Sequence, residues 1–277
     1  MRKANCIFWL FISAAFISVT MFFAHTCANA ADLQKITDGT TIYIGMETGG
    51  DWPPYEFFQR ENGTITKKVI GFNIDVLNEI LSQHGLKYEF IFLPWKRCLL
   101  YLESGDKIQM ILPTSLNEER KMKYLISDTA YTITPSYFYM KKKYPDGLKI
   151  IIPDELTEYG KICGKFGYNY KNFGLENEIM DNGARNFDAL IIKLKKGRCN
   201  IFLARYEILA GLSLTGQSLL SDEIGYAQIP DVPLEDFHYM ISKKYLYGKE
   251  LLQIINNGIE KLQSQGRLNE ILKKYIQ

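Results

Sequence analysis

The sequence predicts an α/β protein built from two lobes, and three patterns support this prediction. Short apolar strands alternate with amphipathic helices between residues 41 and 112, which is the βαβαβ order of a parallel sheet with right-handed crossovers. A second set of the same kind begins near Lys161. Two aromatic-rich, strand-prone segments, residues 137–143 and 237–243, stand on either side of the second set. We therefore expect two strands that cross between the lobes, one out and one back.

The elements of the first set follow from their apolar spacing. Strands are predicted at residues 41–46, 87–93 and 108–112, and helices at residues 72–84 and 95–103. The first helix places Phe72, Val76, Leu77, Ile80 and Leu81 on one face, and Gly85 ends it.

The second set is predicted to contain strands at residues 161–163, 200–204 and 224–229, with a helix at about residues 186–196. Two terminal helices, separated by Gly266, follow the second crossing segment. The economical division is therefore a first lobe of residues 31–138 and 239–277, and a second lobe of residues 139–238.

Residues 1–30 have the features of a secretory leader. Arg2 and Lys3 precede a long apolar run, and Ala28-Asn29-Ala30 is a small-residue cleavage signal. We expect cleavage after Ala30 and a periplasmic location. A retained membrane anchor is the alternative, because the apolar run is long enough for that reading.

Removing the leader changes both the charge and the cysteine count. The 277 residues less 30 leave 247, and 33 basic residues less Arg2 and Lys3 leave 31, against 31 acidic residues. No charge imbalance favours nucleic-acid binding, and we expect a monomer. Cys98, Cys163 and Cys199 remain. A bridge between Cys163 and Cys199 and buried free thiols both stay open.

The segment of residues 108–131 carries the strongest functional signal in the chain. A buried strand is followed by Pro113, which is predicted to stop it, then by the hydroxyls of Thr114 and Ser115. Asn117 can cap a short helix that contains Arg120. Ligands bind beyond the carboxyl ends of strands in open α/β sheets, and an arginine fork suits a small carboxylate. The alternative is an ordinary strand–loop–helix with a surface arginine.

In its two-lobe order and its motifs, the chain resembles the extracytoplasmic solute-binding proteins of family 3, the amino-acid-binding type. The resemblance covers nearly all of residues 38–277 and implies the type II periplasmic-binding-protein fold. It rests on the order and spacing of several pieces: Trp52-Pro53-Pro54-Tyr55-Glu56-Phe57, Gly71–Val76, Pro94-Trp95-Lys96-Arg97 as a P-W-x-R variant, residues 115–131, Gly164–Tyr168, Gly197–Asn200 and Gly266–Tyr275.

The resemblance also implies roles for individual residues. Trp52 and Trp95 match aromatic residues that pack on the ligand, although core packing is the alternative for both. Ser115 and Arg120 match the hydroxyl and the guanidinium that hold the ligand carboxylate. Gly167 and Tyr168 match a turn of the second lobe whose N–H groups face the cleft.

Two positions depart from the family pattern. Pro113 stands where the family often has a residue with a backbone donor, and proline has none. Arg205 stands where amino-acid binders usually place an aspartate for the ligand ammonium, so it would favour a second anion. Glu47, Asp51 or Glu207 could supply the missing negative charge. Arg97 would add a third guanidinium if it pointed into the cleft, and surface pairing is the alternative for Arg97 and Arg205.

These observations favour a binding protein that closes two lobes on a small carboxylate-bearing solute and docks on an inner-membrane ABC permease. After cleavage, His84 and His238 remain and neither has a metal partner at ligand spacing, so we expect no metal, cofactor or catalytic residue. The alternatives are a periplasmic cyclohexadienyl-dehydratase-like enzyme, with Glu47 or Asp51 as its acid, and a sensor input protein.

Overall fold

Two five-stranded sheets organise the chain, and each forms the centre of one lobe. The computed structural model describes residues 35–175 and 180–276. The predicted leader and its cleavage site lie outside the described residues. None of the helices in the described ranges is long and apolar enough to cross a membrane.

The first sheet has the strand order β4-β1-β5-β12-β6. β1 pairs in parallel with β4 and β5, whereas β12 is antiparallel to β5 and β6. Its strands are β1 (Thr41–Glu47), β4 (Lys87–Leu93), β5 (Met110–Ser115), β6 (Tyr124–Ile133) and β12 (Glu235–Ser242). A separate hairpin, β2 (Phe57–Glu61) and β3 (Thr64–Ile70), belongs to the same lobe.

The second sheet has the order β11-β7-β10-β8-β9. β10 and β9 are parallel to β8, and β7 is antiparallel to both β10 and β11. Its strands are β7 (Pro135–Met140), β8 (Ile162–Lys165), β9 (Met180–Ala184), β10 (Ile201–Arg205) and β11 (Ile224–Gln228).

Seven α-helices cover the sheets in the described part of the chain. They are α1 (Phe72–Ser82), α2 (Trp95–Ser104), α3 (Glu118–Lys123), α4 (Phe187–Lys195), α5 (Tyr206–Gly211), α6 (Gly248–Ser264) and α7 (Arg267–Lys273). The apolar face predicted for the first helix is confirmed, because all five of its residues are buried. The return of the chain after β12 brings α6 against α1, so the C-terminal helices belong to the first lobe.

The chain changes sheet between β6 and β7 and again between β11 and β12. The first connection is Thr134, and the second is residues 229–234. The lobe boundaries predicted at residues 138 and 238 differ from these places by several residues. The reason is that β7 pairs wholly within the second sheet and β12 wholly within the first, so neither aromatic-rich strand itself crosses between lobes.

Pro113 does not stop the third strand of the first set, contrary to the prediction. β5 continues through it to Ser115. The pairing of β5 with β1 ends at Ile111, and the pairing with β12 has an irregularity between His238 and Met240. Proline is tolerated there because no ladder hydrogen bond is lost at an irregular position.

Cys163 and Cys199 form a disulfide bond, which the sequence alone left open. Their Cα atoms are 5.9 Å apart and the bond joins β8 to the start of β10. Cys98 is a buried free thiol.

Candidate ligand-binding site

A cavity of about 450 Å³ lies between the two lobes, and we call it the cleft. Both sheets contribute to its walls, mainly through the ends of β1, β5, β8 and β10. Arg97 does not line it, because the side chain is exposed on the outside of α2. The other eight residues predicted for the site do line it: Glu47, Trp52, Trp95, Ser115, Arg120, Gly167, Tyr168 and Arg205.

Arg120 is held at the cleft wall by local structure. Asn117 caps α3 by accepting a hydrogen bond from the Arg120 N–H at 2.9 Å, as the sequence predicted. The guanidinium donates to the Ser115 carbonyl at 2.5 Å and to Thr114 Oγ1 at 3.2 Å, and it lies 5.5 Å from the Trp95 ring centroid. Burial, together with the positive charge of Arg205, lowers the pKa of Arg120.

Arg120 has no carboxylate partner among the described residues. A mostly buried cation without a counter-charge is costly, and an anion entering the cleft would offset that cost.

The two tryptophans make different contacts. Trp52 lies 5.6 Å from Tyr168 of the second lobe and stacks on Phe237 at 6.0 Å. Trp95 begins α2 and covers the Arg120 guanidinium. Both indoles thus present apolar faces to the cleft while making contacts that fix their orientation.

The charge of Arg205 is already compensated within the protein. Its Nε and Nη2 donate to Glu235 at 2.6 and 2.8 Å, and Nη2 also donates to the Asn169 carbonyl at 3.2 Å. Both side chains of the ion pair are 3% exposed. Four rings surround the guanidinium at centroid distances of 4.5–5.8 Å: those of Trp52, Tyr168, Phe173 and Phe237.

This environment corrects the expectation that Arg205 acts as a free cation. Burial by itself opposes the charged form, but Tyr168 and Glu235 outweigh it and raise the pKa of Arg205 above its usual value. Two of the three guanidinium nitrogens are paired and four rings enclose the group, so Arg205 presents little unsatisfied charge to a ligand.

Lys165 is a cleft residue that the sequence analysis did not single out. It ends β8, and its backbone N–H donates to Tyr170 Oη at 2.6 Å. Its ammonium lies 5.6 Å from the ring centroids of both Tyr168 and Phe187. Burial lowers the pKa of Lys165, and the nearby Glu47 partly opposes that shift.

The acidic candidates have different roles in the structure. Asp51 pairs with Arg60 at 2.5 Å, and Glu207 accepts hydrogen bonds from the N–H and Oγ1 of Thr134, away from the cleft lining. Glu47 lines the cleft and has no ion pair within the described part of the chain. The three residues named as possible negative charges are therefore not equivalent, and Glu47 is the one that faces the cleft without a cation partner.

Glu56 is a second cleft residue that was not predicted from the sequence, although it stands in the Trp52–Phe57 motif. Its carboxyl lines the cleft and accepts a hydrogen bond from Asn73 Nδ2 at 2.5 Å. Burial raises the pKa of Glu56 well above its ordinary value, and the Asn73 bond only partly opposes this. A neutral carboxyl is favoured at this position.

Hydrogen bonds join the lobes across the cleft. Asn169 donates to Ser115 Oγ at 3.2 Å, and Asn172 donates to the Leu116 carbonyl at 3.4 Å and to Glu235 at 2.6 Å. Two asparagines of the second lobe therefore contact the segment after β5 that also carries Arg120. Among the described residues, no cluster of histidine, cysteine, aspartate or glutamate could hold a metal ion.

The fold and the cleft define a class of two-lobed binding proteins, and comparison with known proteins identifies the family. The family model for bacterial extracellular solute-binding proteins, family 3, matches residues 44–277. The chain therefore belongs to this family and is a solute-binding protein, as the motifs predicted.

Named relatives in the family are binding proteins rather than enzymes, which agrees with the carrier prediction. A probable histidine-binding protein of Campylobacter jejuni is 22% identical over 268 residues, which span 96% of this chain and 98% of the relative. The L-cystine-binding protein TcyJ of Escherichia coli is 26% identical and covers 88% and 85% of the two chains.

Solved structures share the fold. An ancestral arginine-binding protein bound to arginine has a TM-score of 0.62 at 23% identity, covering 86% of this chain and 98% of that one. A substrate-binding protein of Streptococcus pneumoniae with bound histidine has a TM-score of 0.65 at 20% identity, covering 85% and 92%. At these identities the likeness establishes the type II periplasmic binding fold alone.

Proposed function

We propose that this protein captures a small carboxylate-bearing polar solute, an amino acid or a related acid, by closing its two lobes around it. The observation that carries the proposal is the Arg120 guanidinium, which lines the cleft, stacks on Trp95 and has no carboxylate partner among the described residues. Its Nη1 is bonded to Ser115 and Thr114, which leaves Nε and Nη2 as two parallel donors that match the oxygens of a carboxylate.

The remaining walls suit a ligand with a carboxylate at one end. Ser115 adds a hydroxyl beside Arg120, and Trp52 and Tyr168 supply apolar faces from the two lobes. Gly167 and Tyr168 would complete the cage when the lobes close, as hinge closure does in two-lobed binders. The relatives named as histidine-binding and cystine-binding proteins take ligands that also carry an α-carboxylate.

The cellular role that we propose follows from the family. The protein would be exported to the periplasm by its leader, with cleavage after Ala30, and would work as a monomer. Its loaded form would dock on an inner-membrane ABC permease. Family membership supports extracellular solute binding, and a relative in Bacillus subtilis is named an ABC transporter glutamine-binding protein.

Replacing Arg120 tests the proposal directly. We expect Arg120→Ala to weaken binding of the best ligand by roughly 100-fold, about 2.7 kcal/mol, because the charge-assisted hydrogen bonds to its carboxylate are lost. The purified protein is screened by thermal shift against amino acids, keto acids and small dicarboxylates. Isothermal titration calorimetry then measures the affinity of each variant for the best ligand.

Arg97→Ala is the matched control, because it removes the same side chain from the exposed face of α2 outside the cleft. That variant should bind as the parent does. If Arg120→Ala bound the ligand with parental affinity, or if no carboxylate bound at all, the proposed function would be refuted.

A further inference from the structure

The cleft contains more unpaired positive charge than one carboxylate needs. Of its lining cations, Lys96, Arg120 and Lys165 have no ion pair in the described ranges, whereas Arg205 is matched by Glu235. Of its lining carboxyls, Asp51 is paired with Arg60, and the neutral form is favoured for Glu56. Among the described lining residues, Glu47 is the remaining carboxyl, against three cations without an ion pair.

Arg205 carries no unmatched charge for a second acidic group, because Glu235 already balances it. Its Nε and Nη2 are committed to the two oxygens of Glu235, and Nη2 also bonds the Asn169 carbonyl. Nη1 is the one guanidinium nitrogen without a hydrogen-bond acceptor among the described residues, and a ligand that drew the group away from the 3%-exposed Glu235 would break a buried ion pair. The unmatched positive charge of the cleft therefore lies on other residues.

Lys165 carries this unmatched charge in the second lobe. It extends from the end of β8 in the second lobe, whereas Arg120 belongs to the first, so the two cations approach a ligand from different lobes. The Lys165 backbone is fixed by Tyr170, and β8 is tied to the start of β10 by the Cys163–Cys199 bond. Its ammonium has no hydrogen-bond acceptor among the described residues, but lies beside the faces of Tyr168 and Phe187. Lys96, by contrast, is exposed to solvent at the start of α2.

We propose that the ligand is a small diacid, with one carboxylate on Arg120 and the second on the Lys165 ammonium. This inference rests on the proposed function, because it assumes that Arg120 holds the first carboxylate. A cavity of about 450 Å³ accommodates a diacid of amino-acid size. Closure would bring Lys165 onto the second carboxylate after the first lobe has bound the other. The ligand is either an acidic amino acid whose ammonium reaches Glu47 or a diacid without an amino group, and both carry the same pair of carboxylates.

Matched pairs of acid and amide test the inference by titration calorimetry. Glutamate is compared with glutamine, and succinate with its monoamide. We expect the parent protein to prefer each diacid by about tenfold or more, since an amide loses the charge-assisted bond. Lys165→Met, which keeps most of the length of the side chain without its charge, should remove that preference by weakening diacid binding while changing amide binding less than about threefold.

Two further variants keep the result interpretable. Lys171→Met removes an exposed lysine of the same lobe that does not line the cleft, and should leave the preference intact. Lys165→Arg keeps the charge and should retain the preference for diacids. The comparison of glutamate with succinate distinguishes the amino acid from the diacid without an amino group.

The possible results separate this inference from the proposed function. Equal or tighter binding of the amides, or equal losses for acid and amide in Lys165→Met, would overturn the diacid assignment. If binding still depended on Arg120 in that case, the proposed function would stand. If ligand binding did not depend on Arg120 at all, both the diacid assignment and the proposed function would be overturned.

Discussion

Arg205 and Glu235 show how one buried contact changes the meaning of a residue. From the sequence alone, Arg205 stands where an aspartate is expected, and it is predicted to be a cation available to a ligand. In the folded chain its charge is matched by Glu235, which lies in the other sheet and thirty residues further on. The pair therefore joins the two sheets beside the cleft, whereas Arg120 and Lys165 are cleft cations without an ion pair among the described residues.

Removing the counter-charge of Arg205 should destabilise the protein strongly. Glu235→Gln leaves the guanidinium enclosed by rings without an ionic partner, so we expect the free energy of unfolding to fall by about 3–5 kcal/mol. Urea denaturation followed by circular dichroism measures the loss. Replacing both residues with apolar ones, as in Arg205→Met with Glu235→Leu, should recover most of it.

Glu223→Gln is the control for this prediction. Glu223 pairs with Lys195 on the surface, where the two side chains are 64% and 45% exposed, so its loss should cost less than about 1 kcal/mol. A cost for Glu235→Gln as small as that of Glu223→Gln would show that the buried pair is not structurally important.

Arg120 could be predicted as a site residue from the sequence and Lys165 could not, and the difference has a physical reason. Arg120 belongs to a local pattern in which strand, hydroxyls, Asn117 cap and guanidinium lie within a few residues of one another. The position of Lys165 depends on which strand ends meet at the cleft, and only the paired sheets determine that. Its one sequence signal was a lysine at the end of a short apolar strand.

Elements were predicted well where their apolar spacing was regular. The strands and helices between residues 72 and 104 agree closely with α1, β4 and α2. The β2–β3 hairpin was missed, although Asn62-Gly63 is a strong turn signal and both residues have positive φ. β6 was missed as a strand because its pairing with β12 depends on residues more than one hundred positions away.

Close approach of α5 to the first lobe requires a glycine. A Cβ atom at Gly211 would lie 2.6 Å from the backbone carbonyl of Pro53, which cannot yield as a flexible side chain does. Alanine normally stabilises a helix relative to glycine, by roughly 0.5–1 kcal/mol. At this position we expect Gly211→Ala instead to hold the lobes apart and to weaken ligand binding about tenfold, or about 1.4 kcal/mol.

Titration calorimetry and small-angle X-ray scattering of the liganded protein check this prediction, with a larger radius of gyration expected for Gly211→Ala. Gly258→Ala is the control. Its Cβ would meet the side chain of Ile80 within the first lobe, so stability should change while affinity should not. Parental affinity and radius for Gly211→Ala would refute the role of this contact.

In the whole molecule, the two connections between the lobes lie next to the cleft. Glu207 of the second lobe holds Thr134, the single residue between β6 and β7, with two hydrogen bonds. Arg205 pairs in register with Pro135, and Glu235 with Ile133, so the buried ion pair lies beside both connections. We expect the lobes to move relative to each other about these connections, with Arg120 and Lys165 in the walls of the cleft between them.

The two-lobe fold could be predicted from the sequence because similar elements occur twice along the chain. Two βαβ sets and two similar aromatic strands were enough to indicate an insertion of one lobe into the other. The exact places of exchange could not be predicted, because a strand that pairs within one sheet and a strand that crosses between sheets have the same alternating pattern.

A crystal structure of the protein with the tightest ligand from the binding screen would show where the ligand carboxylate binds. We predict a ligand carboxylate in the cleft, with its oxygens about 2.7–3.1 Å from the Arg120 guanidinium nitrogens and the ligand between Trp52 and Trp95. A ligand bound outside the cleft, or one whose carboxylate points away from Arg120, would contradict it.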